Sequence, residues 1–149
     1  MNQAALCRQR WSISDQPHCV TIVTRRRTPL FAEFDTARRV IDEMRRIHEQ
    51  RTVLSLAWVL MPDHLHWLFV LRERAGLDVV MHDFKSRSAA TVNRISGRRA
   101  SVWQSGYQYR AVQCDAELQS LGRYIVGNPV RARLVGRLGD YPHWDAIWV

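Results

Sequence analysis

The sequence predicts an α+β sandwich in which helices pack on an antiparallel sheet. Three observations predict it. Short β-branched or apolar runs alternate with longer stretches whose apolar residues recur every three or four positions. The order reads strand, helix, strand, strand, helix, strand, helix. The second and third strands are separated only by Pro62-Asp63, a hairpin connection, and hairpin-joined strands with helices between them favour an antiparallel sheet.

Each element has its own signal. Residues 1–17 are polar and irregular, and His18 to Thr24 is a first strand rich in β-branched residues. Arg25-Arg26-Arg27-Thr28-Pro29 is a basic loop. From Phe34, the residues Ala37, Ile41, Met44 and Ile47 mark an amphipathic helix for which Asp35 is the expected N-cap. Thr52 to Met61 is a buried second strand, and the third begins at His64. After a polar break from Arg72 to Gly76, a second helix carries Leu77, Val80, Phe84, Thr91 and Ile95, its stripe weakened at Ser88. Val102 to Gln104 and Tyr107 to Val112 read as a strand or hairpin. Asp115 is the expected cap of a third helix with Leu118, Leu121 and Ile125 inward, and Val130 to Val135 is a further short helix. Residues 136–149 form an aromatic tail that docks on the body or on the ligand.

Size and charge narrow the function. At 149 residues the chain is expected to be one catalytic domain, 1–149, with a single well-buried core. No run approaches the roughly 18 apolar residues of a membrane span. Cys7, Cys19 and Cys114 form no CxxC pair, so neither a disulfide framework nor a thiolate zinc site is indicated, and a cytoplasmic location is expected. The net charge is +8, and all but Lys85 of the 22 basic residues are arginine. Guanidinium groups offer forked donors suited to phosphate oxygens, so a nucleic acid is the expected partner.

The chemistry concentrates in Met61-Pro62-Asp63-His64-Leu65-His66-Trp67-Leu68-Phe69. Strand side chains alternate between faces, so His64 and His66 emerge together while Leu65, Trp67, Phe69 and Leu71 enter a core. Paired imidazoles can be two ligands of a metal ion. Tyr124 and Asn128 are four apart and share a helical face if the third helix reaches Asn128, although Pro129 disfavours helix at the residue before it. With that helix over the histidine face, Asn128 would complete a His-His-Asn site for magnesium or manganese, with Tyr124 one turn away.

In this order the motifs resemble a known family. Met61 to His66 is similar to the histidine–hydrophobic–histidine (HUH) signature of single-tyrosine transposases. Tyr124-Ile125-Val126-Gly127-Asn128-Pro129-Val130-Arg131-Ala132-Arg133-Leu134-Val135 is similar to their tyrosine helix. Val102 to Arg110 resembles the intervening segment of the REP-associated tyrosine transposase branch. The resemblance implies a ferredoxin-like sheet, a divalent metal (Mg2+ or Mn2+) on His64, His66 and Asn128, and Tyr124 as nucleophile. The activity it implies is cleavage of single-stranded, hairpin-forming DNA through a 5′-phosphotyrosine, by a monomer or a homodimer.

The candidate DNA contacts are Arg25, Arg26, Arg27, Lys85, Arg87, Arg94, Arg98, Arg99, Trp103, Gln104, Tyr107, Arg110, Arg131 and Arg133, since aromatics among arginines can stack unpaired bases. Two positions depart from the family pattern. Asp63 stands where asparagine is usual, and Arg133 replaces a common glycine. Gly127 is expected to loosen the tyrosine helix. A domesticated hairpin-DNA-binding regulator without cleavage activity is the alternative. Retention of all four of His64, His66, Asn128 and Tyr124 favours the enzyme, and the chain order argues against a relaxase.

Overall fold

In a computed structural model the described residues are 16–72 and 76–148. The readings for residues 1–15 and for the break at 73–75 lie outside them. Strands β1 (Pro17–Val23), β2 (Val53–Met61), β3 (His64–Leu71), β4 (Gln108–Ala111) and β5 (Trp144–Ala146) form one sheet in the order β4-β1-β3-β2-β5. Every pairing is antiparallel. The helices are α1 (Phe34–Glu49), α2 (Leu77–Ser96), α3 (Asp115–Val126) and the single turn α4 (Asn128–Arg131). This is the predicted α+β class.

The central strand β3 serves two faces. Leu65, Trp67 and Phe69 are fully buried and share a cluster with Val40, Ile41 and Met44 of α1 and Val80, Met81 and Phe84 of α2. The alternate residue Leu68 turns to the other face. There Leu118, Ile125 and Val126 of α3 pack on Leu56, Ala57, Val59 and Met61 of β2. A fully buried leucine or phenylalanine contributes on the order of 1.5–3 kcal/mol, so both apolar layers hold the sheet. His64 and His66 lie in register with Met61 and Val59, and therefore on the α3 face.

The Pro62-Asp63 hairpin turn is where expected, and it is tied to the loop after β1. Thr24 donates to the Asp63 carbonyl from its backbone N at 2.9 Å and from Oγ1 at 3.1 Å. The Phe31 N–H reaches the Pro62 carbonyl at 2.9 Å.

Several expectations are corrected. Glu33, not Asp35, is the N-cap residue of α1, and no side chain caps it; Asp35 lies in the first turn, where a carboxylate meets the helix dipole. Cys114 holds the N-cap position of α3 ahead of Asp115. Glu117 instead reaches back to the Gln113 N–H at 2.9 Å, a job close to that of a capping box. The short helix begins at Asn128 rather than Val130. Only Gln108–Ala111 of the aromatic segment is a strand, while Trp103 makes a single bridge to Thr24.

The tail packs as body. Trp144–Ala146 extends the sheet beside β2, and Tyr141 donates its hydroxyl to the Leu60 carbonyl.

On α2 the buried stripe runs through Val80, Phe84, Ser88 and Val92, while Ile95 is exposed. Ser88 is inside because its hydroxyl is satisfied twice. It donates to the Phe84 carbonyl at 2.7 Å and accepts from Trp103 Nε1 at 3.0 Å. Ser88→Ala leaves that buried indole N–H without its acceptor. It is expected to destabilise the fold by about 1–3 kcal/mol, read from urea unfolding. A variant as stable as the parent would show the hydroxyl to be idle.

Candidate active site

Period-two alternation on β3 brings the His64 and His66 rings to 4.8 Å between centroids, edge to face. Each is anchored through Nδ1. His64 Nδ1 donates to Asp63 Oδ1 at 2.6 Å, and His66 Nδ1 shares a 2.8 Å hydrogen bond with Thr21 Oγ1 on β1. Anchoring at Nδ1 leaves Nε2 of both rings as the nitrogens for a ligand, the arrangement in which outer partners orient metal-binding imidazoles.

Charge supports the same use. Burial, reinforced by the nearby His64 and Arg131, pushes the His66 pKa down to about 4, so at neutral pH this ring keeps its lone pair. Burial alone would raise the Asp63 pKa. The His64 hydrogen bond and the Arg27 guanidinium outweigh it, and the net shift is downward, towards an ionised carboxylate. Asp63 Oδ2 pairs with Arg27 Nη1 at 3.1 Å. Arg27 sits in a strained turn in which both Arg26 (φ 57) and Arg27 (φ 52) are left-handed. The turn is held by Thr24 Oγ1 on the Thr28 carbonyl at 2.8 Å and by the Arg25 N–H on Val102 at 2.9 Å.

The second half of the site comes from α3 and α4. Leu118, Ile125 and Val126 bury one side of α3 against the sheet, which leaves Tyr124 59% exposed and reachable by a large substrate. Gly127 keeps αR dihedrals (φ −77, ψ −7), so the chain passes from α3 into α4 without reversing, and Pro129 falls in the first turn of α4, where its missing N–H costs nothing. The third helix stops at Val126 and so does not itself reach Asn128, which opens the next turn; the backbone between them stays in the αR region.

Asn128 Nδ2 is buried without a hydrogen-bond partner. Rotating the terminal amide by half a turn puts Oδ1 in that place, a donor atom for a cation. Arg131 ties the two halves together. Its Cζ lies 3.9 Å from the Tyr124 ring centroid, it donates to the Tyr124 carbonyl, and its charge is felt at His66. Among the described residues no three His, Cys, Asp or Glu side chains form a metal cluster. The side chains available to hold a divalent ion are the two imidazoles, which lie together, and the Asn128 carboxamide.

Comparison with known proteins decides the family. Residues 13–128 match the family profile described as IS200-like transposase. The chain belongs to the IS200-like transposase family. Its fold is similar to that of a REP-associated tyrosine transposase solved bound to a REP hairpin, with a TM-score of 0.74, 21% identity, and coverage of 91% of this chain and 79% of that one. It is also similar to a protein of Deinococcus radiodurans R1 described as a candidate transposase, at a TM-score of 0.58 and 18% identity over 79% of this chain and 94% of that one. No curated protein matches the sequence significantly.

The transposase fold sorts the candidate DNA contacts. Trp103 is removed from them: it is buried, its ring against Phe31 at 5.2 Å and Phe84 at 6.2 Å, so it stacks on core aromatics rather than on bases. Lys85 donates to the Gln104 and Gly106 carbonyls at 2.7 Å each and so holds a loop. Arg87 pairs with Glu43 at 3.5 Å, Tyr107 bonds Asp78, and Arg110 bonds Glu117. Lys85, Arg87 and Arg94 belong to α2, on the sheet face opposite the histidines; Arg98 and Arg99 follow its C-terminus. Arg25, Arg26 and Arg27 lie by the hairpin turn, and Arg131 and Arg133 follow Tyr124.

Sequence reasoning missed Thr21 and Gln108, which the strand register aligns with His66 in one row across β3, β1 and β4. Only that register could have revealed them. Arg133 takes φ 59, so it occupies a tight turn. That region costs a non-glycine residue about 1–2 kcal/mol, against roughly 0.5–1 kcal/mol of extra chain entropy lost by glycine. Arg133→Gly is therefore expected to stabilise the fold by up to about 1 kcal/mol, measured by thermal or urea unfolding. A loss of stability would mean that the Arg133 side chain makes a compensating contact.

Proposed function

We propose that this transposase is a metal-dependent single-stranded DNA endonuclease and strand transferase with Tyr124 as nucleophile, acting on hairpin-forming DNA. The observation that carries the reading is Arg131, which touches the Tyr124 ring and places its charge at His66, so that nucleophile and imidazole pair share one electrostatic neighbourhood. His64 and His66 through Nε2, with the buried carboxamide of Asn128, are the residues to hold Mg2+ or Mn2+. When bound, such an ion polarises the scissile phosphate and neutralises charge in the transition state.

The Tyr124 hydroxyl oxygen attacks phosphorus and the bond from phosphorus to the 3′ oxygen breaks. The proton lost by the phenol ends on that oxygen, giving a 5′-phosphotyrosine and a free 3′-hydroxyl. The reverse step with another 3′-hydroxyl rejoins strands. One phosphoester replaces another, so no outside energy is needed. Exposure of Tyr124 suits a polymer that approaches from solvent. The net charge of +8 and the arginines beside the hairpin turn and after Tyr124 suit its phosphates. The neighbour solved with a REP hairpin supports the choice of a hairpin substrate. No helix of the described residues is long and apolar enough to cross a membrane.

Labelled hairpin oligonucleotides incubated with the protein and Mn2+ should yield a covalent species on a denaturing gel, and Tyr124→Phe should yield none. An adduct that survives in Tyr124→Phe defeats the assignment, while tight hairpin binding with no adduct from the parent favours the non-cutting regulator. Asp63→Ala frees His64 Nδ1, and loss of such an outer partner is expected to weaken metal affinity about 10–100-fold. Titration calorimetry with Mn2+ measures this, and an unchanged affinity would leave Asp63 with a role only towards Arg27.

A further inference from the structure

We infer that Arg131 is the positioning residue for the Tyr124 ring, and that Gly127 is glycine so that the Arg131 guanidinium can reach it. The inference rests on the reading of Tyr124 as nucleophile and adds how that nucleophile is held. A tyrosine 59% exposed on a helix surface has little packing to fix its ring. Attack on phosphorus needs the phenol oxygen in line, and an unrestrained ring spends most of its time elsewhere.

Arg131 supplies the missing restraint from the next helical turn. Its guanidinium lies 3.9 Å from the ring centroid, within cation–π range, and is itself fixed by donation to the Tyr124 carbonyl. The route crosses Gly127. A Cβ on Gly127 would stand 2.7 Å from Arg131 Nη1, closer than such atoms approach, and 3.1 Å from the Arg123 carbonyl. Positions 124, 127 and 131 follow helical spacing, so ring, gap and guanidinium lie along one face. Gly127 itself has φ −77, a conformation open to any residue, so its need is for space and not for backbone freedom.

The guanidinium has donors to spare. A fork with five N–H groups that uses one on the Tyr124 carbonyl keeps others for a phosphate oxygen arriving beside the ring. Its charge then lies over the phenol ring both during attack and during rejoining. Lysine at 131 would keep the charge and lose the planar stack.

The test uses the full chain with Arg131→Lys, Arg131→Ala and Gly127→Ala, and Tyr124→Phe as control. Adduct formation at saturating hairpin DNA is expected to fall on the order of 10²-fold in Arg131→Ala and at least tenfold in Arg131→Lys and Gly127→Ala, because small misplacements of a reacting group cost that much. Hairpin affinity should change by no more than about threefold, since one phosphate contact is a small part of the total. A Cβ at 127 would stand 3.1 Å from the backbone Arg123 carbonyl, so the Gly127→Ala melting temperature is measured beside its rate, and the Arg131 variants, which leave that backbone untouched, separate lost activity from lost fold.

A second readout needs no catalysis. NMR relaxation of a 13C-labelled Tyr124 ring should show lower order in all three variants. Arg131→Lys as fast as the parent, or Arg131→Ala impaired in affinity but not in saturating rate, overturns the inference, as does unchanged ring order in Gly127→Ala. A parent that forms no adduct overturns the nucleophile reading instead, and the ring-order comparison still decides whether Arg131 positions Tyr124.

Discussion

Everything at this site depends on β3 having two unlike faces. Leu65, Trp67 and Phe69 are fully excluded from solvent on the side of α1 and α2, and that packing fixes the strand's register. A slip by one residue would expose the three large apolar side chains and turn both imidazoles into the core, at a cost of several kcal/mol for the apolar groups alone. The placement of the two imidazoles is thus enforced from the far side of the sheet. Trp67 adds to the fixity, because its Nε1 donates to Ser55 Oγ at 2.9 Å on the neighbouring strand.

Burying a polar pair beside an apolar layer has to be compensated. His66 is the more deeply set, and burial shifts it strongly towards the neutral form. Thr21 occupies Nδ1 of His66, which leaves Nε2 as the nitrogen without a protein partner among the described residues. His64 meets an ionised Asp63 that is itself neutralised by Arg27, and the chain commits two left-handed arginines to that turn. Strain of about 1–2 kcal/mol per left-handed residue is maintained by the hydrogen bonds that Thr24 and Thr28 make to Arg25, Arg27 and Asp63 and to each other. The hairpin turn is therefore a braced platform, and the aspartate that departs from the family pattern is occupied in orienting His64.

What could be read from the sequence divides along physical lines. Local periodicity revealed β3, the hairpin, the three long helices and the pairing of Tyr124 with Asn128, because each is a matter of residues a few positions apart. The register of β4 on β1 was illegible, so Gln108 and Thr21 went unnoticed. Ser88 misled the α2 stripe because a serine is polar until its partners are known, and both of its bonds are tertiary or backbone contacts. Trp103 misled in the opposite direction: an aromatic among arginines looks like a stacking platform until its neighbours prove to be Phe31 and Phe84. Glycine at 127 suggested flexibility from the sequence; that a Cβ there would meet Arg131 Nη1 is visible only in the fold.

The same crowding is found at a second glycine. Gly122 lies under Trp148, where a Cβ would come within 2.6 Å of the indole ring. The tyrosine segment is thus flanked by two glycines, with another side chain standing where each would carry a Cβ. The two neighbours differ in stiffness. Trp148 is a rigid ring that follows β5, the strand paired with β2, and lies over α3 at Gly122, while Leu118, Ile125 and Val126 keep α3 seated on the sheet. Arg131 is a long side chain held on the Tyr124 ring and carbonyl from the next turn. Any displacement of the Tyr124 ring then belongs to the α3–α4 junction, because moving α3 itself would expose an apolar layer worth several kcal/mol.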